Sequence, residues 1–212
     1  METEIRFSEQ FTSPDWWSLG ATFLYSVVGT TRAIRKGYDL IGVFVISFVA
    51  CTGGGVLRDI ILQQGAPVIL RDYRYLLVAW SAAFIAIGAH RTLPRFQSII
   101  NTVDAVSIGM YGVVGAQMTI RAGFSPLPAV LVGFLSALGG GILLNILLRE
   151  EPEIFRPGTF YAVAVLLGLV CFVVLVIPAN VHANIAAIIA IGVTLVARLL
   201  ALRYNWRTRR LN

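Results

Sequence analysis

Apolar residues in this chain fall in runs of membrane length, separated by short polar breaks. A helix needs roughly 20 apolar residues to cross the hydrocarbon core of a bilayer. Seven segments meet that requirement, at about 17–36, 39–64, 73–93, 98–120, 126–149, 158–178 and 183–202. The pattern predicts an all-α membrane protein with seven transmembrane helices. No stretch between them is long and polar enough for a soluble catalytic domain.

The pattern also repeats. Displacing the chain by 86 residues superposes 25–62 on 111–148 without a gap, with 14 identities in 38 positions. Tyr25/Tyr111, Gly29/Gly115, Arg35/Arg121, Gly37/Gly123 and Leu57/Leu143 are among them, together with the triplets Gly53-Gly54-Gly55 and Gly139-Gly140-Gly141. Shared apolar composition does not place glycines, a tyrosine and an arginine in one register. The chain therefore divides into an arm (1–16), a three-helix repeat (17–97), a second three-helix repeat (98–178), and a seventh helix with a basic tail (179–212). Three spans is an odd number, so the second copy enters the membrane from the opposite side and the repeat is inverted.

Each glycine inside a helix costs roughly 1 kcal/mol relative to alanine. Three in succession, placed twice at one offset, predict a broken or loosened turn in the second and fifth spans. Interrupted helices in inverted repeats place functional sites near the bilayer midplane, where the copies meet. The competing explanation is close helix packing through small residues.

Composition agrees with the membrane assignment: 57% of residues are hydrophobic and 13% charged, with a mean hydropathy of +0.78. An average soluble domain carries about a quarter charged residues. The net charge of +6 is spread in a way that predicts orientation rather than a nucleic-acid partner. Arg32, Arg35, Lys36, Arg91, Arg95, Arg149, Arg156, Arg203, Arg207, Arg209 and Arg210 fall on the C-terminal side of the seven-span topology. The opposite side has Arg6, Arg71, Arg74 and Arg121, with Arg58 near that edge. The positive-inside rule then places the C-terminus in the cytoplasm and the N-terminus outside a cell inner membrane. Cys51 and Cys171 both lie in apolar segments and are expected to pack as small hydrophobes.

Charges inside a span are costly and usually face protein or water. Arg58 and Asp59 follow the first triplet, and read either as the mouth of a wet path or as a structural ion pair. The second copy has Leu144 and Asn145 there, making any path electrostatically asymmetric. Asp104, inside the fourth span, is expected either to line the path or to bond a neighbouring helix. Ser47, Thr52 and Ser136 are candidate hydroxyl donors to a conduit, although such residues often bond back to their own helix. Lys36 and Arg121 end the first and fourth spans, as interfacial anchors or as gating cations. His90 and His182 are isolated, so no metal site is predicted, and no catalytic grouping of an enzyme is present.

The doubled arrangement, with Gly53 to Leu62 echoed by Gly139 to Leu148 and with the Arg71 to Tyr75 stretch, resembles the trimeric intracellular cation (TRIC) channel family, in its prokaryotic branch. That resemblance implies a homotrimer with a pore in each protomer, permeable to monovalent cations and chiefly potassium. It implies that the glycine triplets bend the second and fifth helices and that the seventh helix is peripheral. No cofactor is implied beyond permeant potassium or sodium ions and bound lipid. Two rivals stay open: a carrier of glycine or another small amino acid, and a non-conducting lipid-binding scaffold.

Overall fold

The computed structural model describes residues 14–90, 97–155 and 160–206. The N-terminal arm, most of the 91–97 connection, Arg156 and the tail from Arg207 onward lie outside the described residues. Eight helices follow in order among those described: α1 (Pro14–Arg35), α2 (Leu40–Leu62), α3 (Val68–Arg71), α4 (Arg74–Gly88), α5 (Gln97–Arg121), α6 (Pro126–Leu147), α7 (Tyr161–Val176) and α8 (Ala183–Arg203). Seven coincide with the expected segments. The eighth, α3, is a single turn after Pro67, too short to register as an apolar run. By length and composition alone, α2, α5, α6 and α8 qualify as membrane spans, while α4 and α7 are shorter apolar helices.

The helix ends follow the duplicated sequence closely. At the end of α1, Gly37 adopts φ +78° and its N–H bonds the Ile34 carbonyl, while the Tyr38 N–H reaches the Ala33 carbonyl. At the end of α5, Gly123 adopts φ +84°, with the same bonds from Gly123 to Ile120 and from Phe124 to Thr119. A left-handed residue that closes a helix in this way favours glycine, which has no Cβ to clash. Asp39 then caps α2, accepting from the Gly42 N–H at 2.8 Å. Ser125 stands at the equivalent place before α6, where Pro126 supplies a preset first turn.

α1, α2, α5 and α6 form the centre. α1 packs on α2, α4 and α5; α5 packs on α6, α7 and α8; α2 crosses α6; and α7 packs on α8. Small residues predominate on the buried faces of α4 and α8: Ala79, Ala82, Ala83 and Ala86 on α4, and Ala183, Ala186, Ala187, Ala190 and Ala201 on α8. In a lipid-like solvent, close packing of small residues, rather than exclusion of oil from water, holds helices together.

The outer surface has the opposite character. Ile60, Ile61, Phe84, Ile85, Leu131, Leu167, Val170, Ile188 and Val196 are exposed, while Ser18, Thr22, Ser26, Thr30, Ser47, Arg58 and Asp59 are buried. A soluble protein rarely exposes so much contiguous aliphatic surface. Hydroxyls inside and branched aliphatics outside are the distribution expected when lipid is the solvent.

Candidate functional site

The two glycine triplets meet. α2 and α6 run unbroken through them, which corrects the expectation of interrupted helices. Gly53, Gly54, Gly139 and Gly140 are buried where the two backbones touch. A methyl group on Gly54 would collide with the Ser136 carbonyl, and one on Gly140 with the Ala50 carbonyl. On Gly53 it would lie 2.5 Å from Leu143 Cδ1, and on Gly139 2.5 Å from Leu57 Cδ1. Each contact is returned by its counterpart 86 residues away. The seam is packed rather than wet: these glycines serve close approach.

Open space lies on either side of the seam. At one end of α1, a small cavity is lined by Ser18, Thr22, Thr52, Arg58, Tyr75 and Tyr111, among others. Arg58 and Asp59 are both buried there. Arg58 Nε and Nη2 donate to Asp59 Oδ1 at 2.8 and 2.7 Å, and the Val68 N–H donates to Asp59 Oδ2 at 2.8 Å. Asp59 thus joins its own helix to α3. Thr52 faces the same cavity, but its hydroxyl donates back to the Phe48 carbonyl at 2.7 Å.

At the other end of α1, a larger, solvent-open vestibule is lined by Arg32, Arg35, Asn101, Asp104, Glu153 and Arg198, among others. Arg32 donates to Asn145 Oδ1 at 2.6 Å and pairs with Glu150 and Glu153. Arg198 donates to Glu153 at 3.0 Å and lies 4.4 Å over the Tyr161 ring. Asp104 is half-buried, and no hydrogen bond or ion pair to its carboxylate is found among the described residues. Outside the helices, Glu150 receives Lys36 Nζ at 2.8 Å. Burial alone would raise its carboxyl pKa, but hydrogen bonds from Lys36 and Arg32 outweigh this and hold it below the usual carboxylate range.

The remaining sequence candidates separate from these spaces. Ser47 packs among hydroxyls, bonded to Ser26 Oγ at 2.9 Å and receiving Thr30 at 3.0 Å, between α1 and α2. Ser136 is buried at the seam, its Oγ without a hydrogen-bond partner among the described residues. Arg121 ends α5 at an exposed position. Lys36 is half-exposed and held by Glu150.

Three residues that the sequence reading passed over fill the region between the spaces. Tyr25 and Tyr111 stand edge to face, ring centroids 6.2 Å apart at 87°. Tyr111 bonds Thr22 at 3.0 Å and donates to the Cys51 carbonyl. The hydroxyls of Tyr25 and Tyr161 both lie beside Gly141, where an added methyl would be 2.8 Å and 3.6 Å from them. Arg198 was also missed, although a charge within the 183–202 apolar run carries the same signal as Asp104. It makes α8 part of the vestibule wall, where the resemblance implied a peripheral helix.

An all-helical core with hydroxyls and ion pairs inside, and aliphatic side chains outside, defines a polytopic helical membrane protein. The chain belongs to the family whose model is described as Glycine transporter, which matches it twice, at residues 15–91 and 101–177. It is 30% identical over 193 residues to the UPF0126 inner membrane protein YadS of Escherichia coli K12, covering 90% of this chain and 92% of that relative. It is 34% identical over 154 residues to a UPF0126 membrane protein of Deinococcus radiodurans, covering 72% of each. Its fold is that of TRIC channels. It superposes on a solved TRIC cation channel with a TM-score of 0.83 at 27% identity, covering 93% of this chain and 97% of the other. The TRIC orthologue from Rhodobacter sphaeroides gives the same score and identity over 90% and 97%.

Proposed function

We propose that the chain is a cation channel, permeable to potassium, with one conduit inside each protomer of a homotrimer. The observation that carries this reading is the likeness to a TRIC cation channel over nearly the whole of both chains, at a TM-score of 0.83. The path runs from the hydroxyl-lined cavity, past the tyrosines, to the vestibule holding Asp104. Reciprocal contacts at a constant 86-residue offset support an inverted repeat in which α1, α2 and α4 to α8 all span. The trimer is inferred from the trimeric channel orthologue of Rhodobacter sphaeroides. The positive-inside rule supports a cytoplasmic C-terminus, which puts the vestibule on the cytoplasmic side.

The description of the family model points instead to glycine transport. Recognition of a free amino acid calls for a cation for its carboxylate and an anion for its ammonium group. Arg58 and Asp59 are the oppositely charged pair in the smaller cavity, and they are bound to each other. That arrangement favours passage of ions over capture of a zwitterion.

Purified protein reconstituted in planar bilayers is expected to give potassium-carrying, cation-selective currents. Absence of current, with saturable uptake and counterflow of labelled glycine, replaces the channel by a carrier.

A further inference from the structure

Four tyrosines stand in two pairs related by the 86-residue offset: Tyr25 with Tyr111, and Tyr75 with Tyr161. The family model matches the two halves at the same offset, 15–91 and 101–177. Tyr25, Tyr111 and Tyr161 are buried at 2%, 5% and 9% exposure, deep among the central helices. Tyr111 and Tyr75 border the smaller cavity. Tyr161 carries Arg198 on its face, and Arg198 borders the vestibule. Tyr25 joins the two, meeting the Tyr111 ring on one side and, on the other, sharing with the Tyr161 hydroxyl the space beside Gly141.

The seat of Tyr25 explains a glycine that the helix seam does not need. Gly53, Gly54, Gly139 and Gly140 are required by the crossing of α2 and α6. A methyl group on Gly141 would meet no part of α2; it would lie 2.8 Å from Tyr25 Oη and 3.6 Å from Tyr161 Oη. Gly55, its counterpart in the first repeat, would place a methyl 3.8 Å from Arg58 Nη2, an ordinary contact. The two repeats therefore differ at this one turn. The second has a notch that receives a phenol.

We propose that Tyr25 is the gate of the conduit: seated against Gly141 and packed on Tyr111, it closes the passage between cavity and vestibule. This rests on the channel reading above and names its control point. Aromatic rings packed edge to face leave no water-sized gap between them, so the passage is shut in this arrangement. Opening requires the Tyr25 ring to rotate out of the notch and bring its hydroxyl into contact with water. A monovalent cation then passes over phenolic oxygens, which replace part of its hydration shell.

The test is single-channel recording and potassium flux from liposomes for the wild type, Tyr25→Ala, Tyr25→Phe and Gly141→Ala, with Tyr73→Phe as an exposed control. Tyr25→Ala is expected to raise open probability at least tenfold. Tyr25→Phe keeps the ring but loses the hydroxyl that sits in the Gly141 notch, and is expected to raise it several-fold. Gly141→Ala crowds the hydroxyl out of its seat and is expected to act in the same direction. Tyr25→Phe preserves the packing against Tyr111, so it decides the matter if the alanine variants do not fold. Wild-type open probability in Tyr25→Phe and in every folded alanine variant would overturn the gate while leaving the channel in place. Silence from every protein, including the wild type, would remove the channel reading and the gate together.

Discussion

Gly54 of α2 and Gly140 of α6 are pressed together so closely that a methyl on Gly54 would lie 3.4 Å from the Gly140 amide nitrogen and still nearer the Ser136 carbonyl. Backbone, unlike a flexible side chain, has little room to yield. Gly54→Ala and Gly140→Ala are therefore expected to destabilise the fold by at least the ~1–3 kcal/mol typical of overpacking. Gly192, on α8, has nothing within 4 Å of an added methyl. There Gly192→Ala is expected to be neutral, or stabilising by up to about 1 kcal/mol through helix propensity. Thermal unfolding in detergent, followed by size-exclusion fluorescence, reads both. Equal stability of Gly54→Ala and wild type would contradict the packed seam.

Much of this arrangement was legible in the sequence. The apolar runs located the helices, and the 86-residue repeat predicted that the triplets meet; Gly37 and Gly123 stood out as repeated positions but not as turns. Of the two readings of the triplets, the contacts at the seam favour packing over an interrupted turn; helix propensity pointed the other way because it treats glycine as a cost borne by one helix. At Gly54 and Gly140 the second helix supplies the compensation, since only glycine lets the two backbones touch. The tyrosines were hidden for a different reason. Tyr25 and Tyr111 look like ordinary apolar-run residues, and their junction depends on how α1 crosses α5. Arg198 is the signal that was present and missed, a lone cation inside an apolar span. Its partner Glu153 sits in a connection 45 residues away, beyond the reach of local pattern.

Arg58 and Asp59 form a buried pair whose members depend on each other. Removing one partner of such a pair costs about 3–5 kcal/mol, because the other charge is left buried without compensation. Arg58→Met is expected to lose stability on that scale. The double change Arg58→Met with Asp59→Asn is expected to recover much of it, as no isolated charge remains. A thermal double-mutant cycle checks this. Additive losses would mean that the two side chains are not coupled.

Glu150 predicts a specific acid sensitivity. Its folded-state pKa is depressed, because Lys36 and Arg32 together outweigh its burial. The unfolded carboxyl titrates near about 4.3. The stabilisation is therefore fully present above that value and is lost as pH falls through the lower folded value. Wild type should be more stable than Glu150→Gln at neutral pH, and the two should converge as pH drops below about 4. Melting temperatures measured from pH 7 downward test the sign; a constant gap across that range would detach Glu150 from the acid response.

Asp104 is the carboxylate best placed to act on a permeating cation. Asp59, which the sequence also offered, is engaged by Arg58 and by the Val68 N–H. Arg32 and Arg198 share the vestibule with Asp104, and both are held by Glu153, which moderates their repulsion of an entering ion. The Asp104 carboxylate is left facing the space. A charge acting through solvent is screened over about 10 Å at 0.1 M salt and over about 30 Å at 0.01 M. Asp104→Asn should therefore reduce potassium conductance several-fold at the lower ionic strength and much less at 1 M. Asp59→Asn should show little of that salt dependence. Conductance of Asp104→Asn that matches wild type at both extremes would exclude Asp104 from the ion's path. A salt-independent loss would mean that the residue shapes the wall of the vestibule rather than its potential.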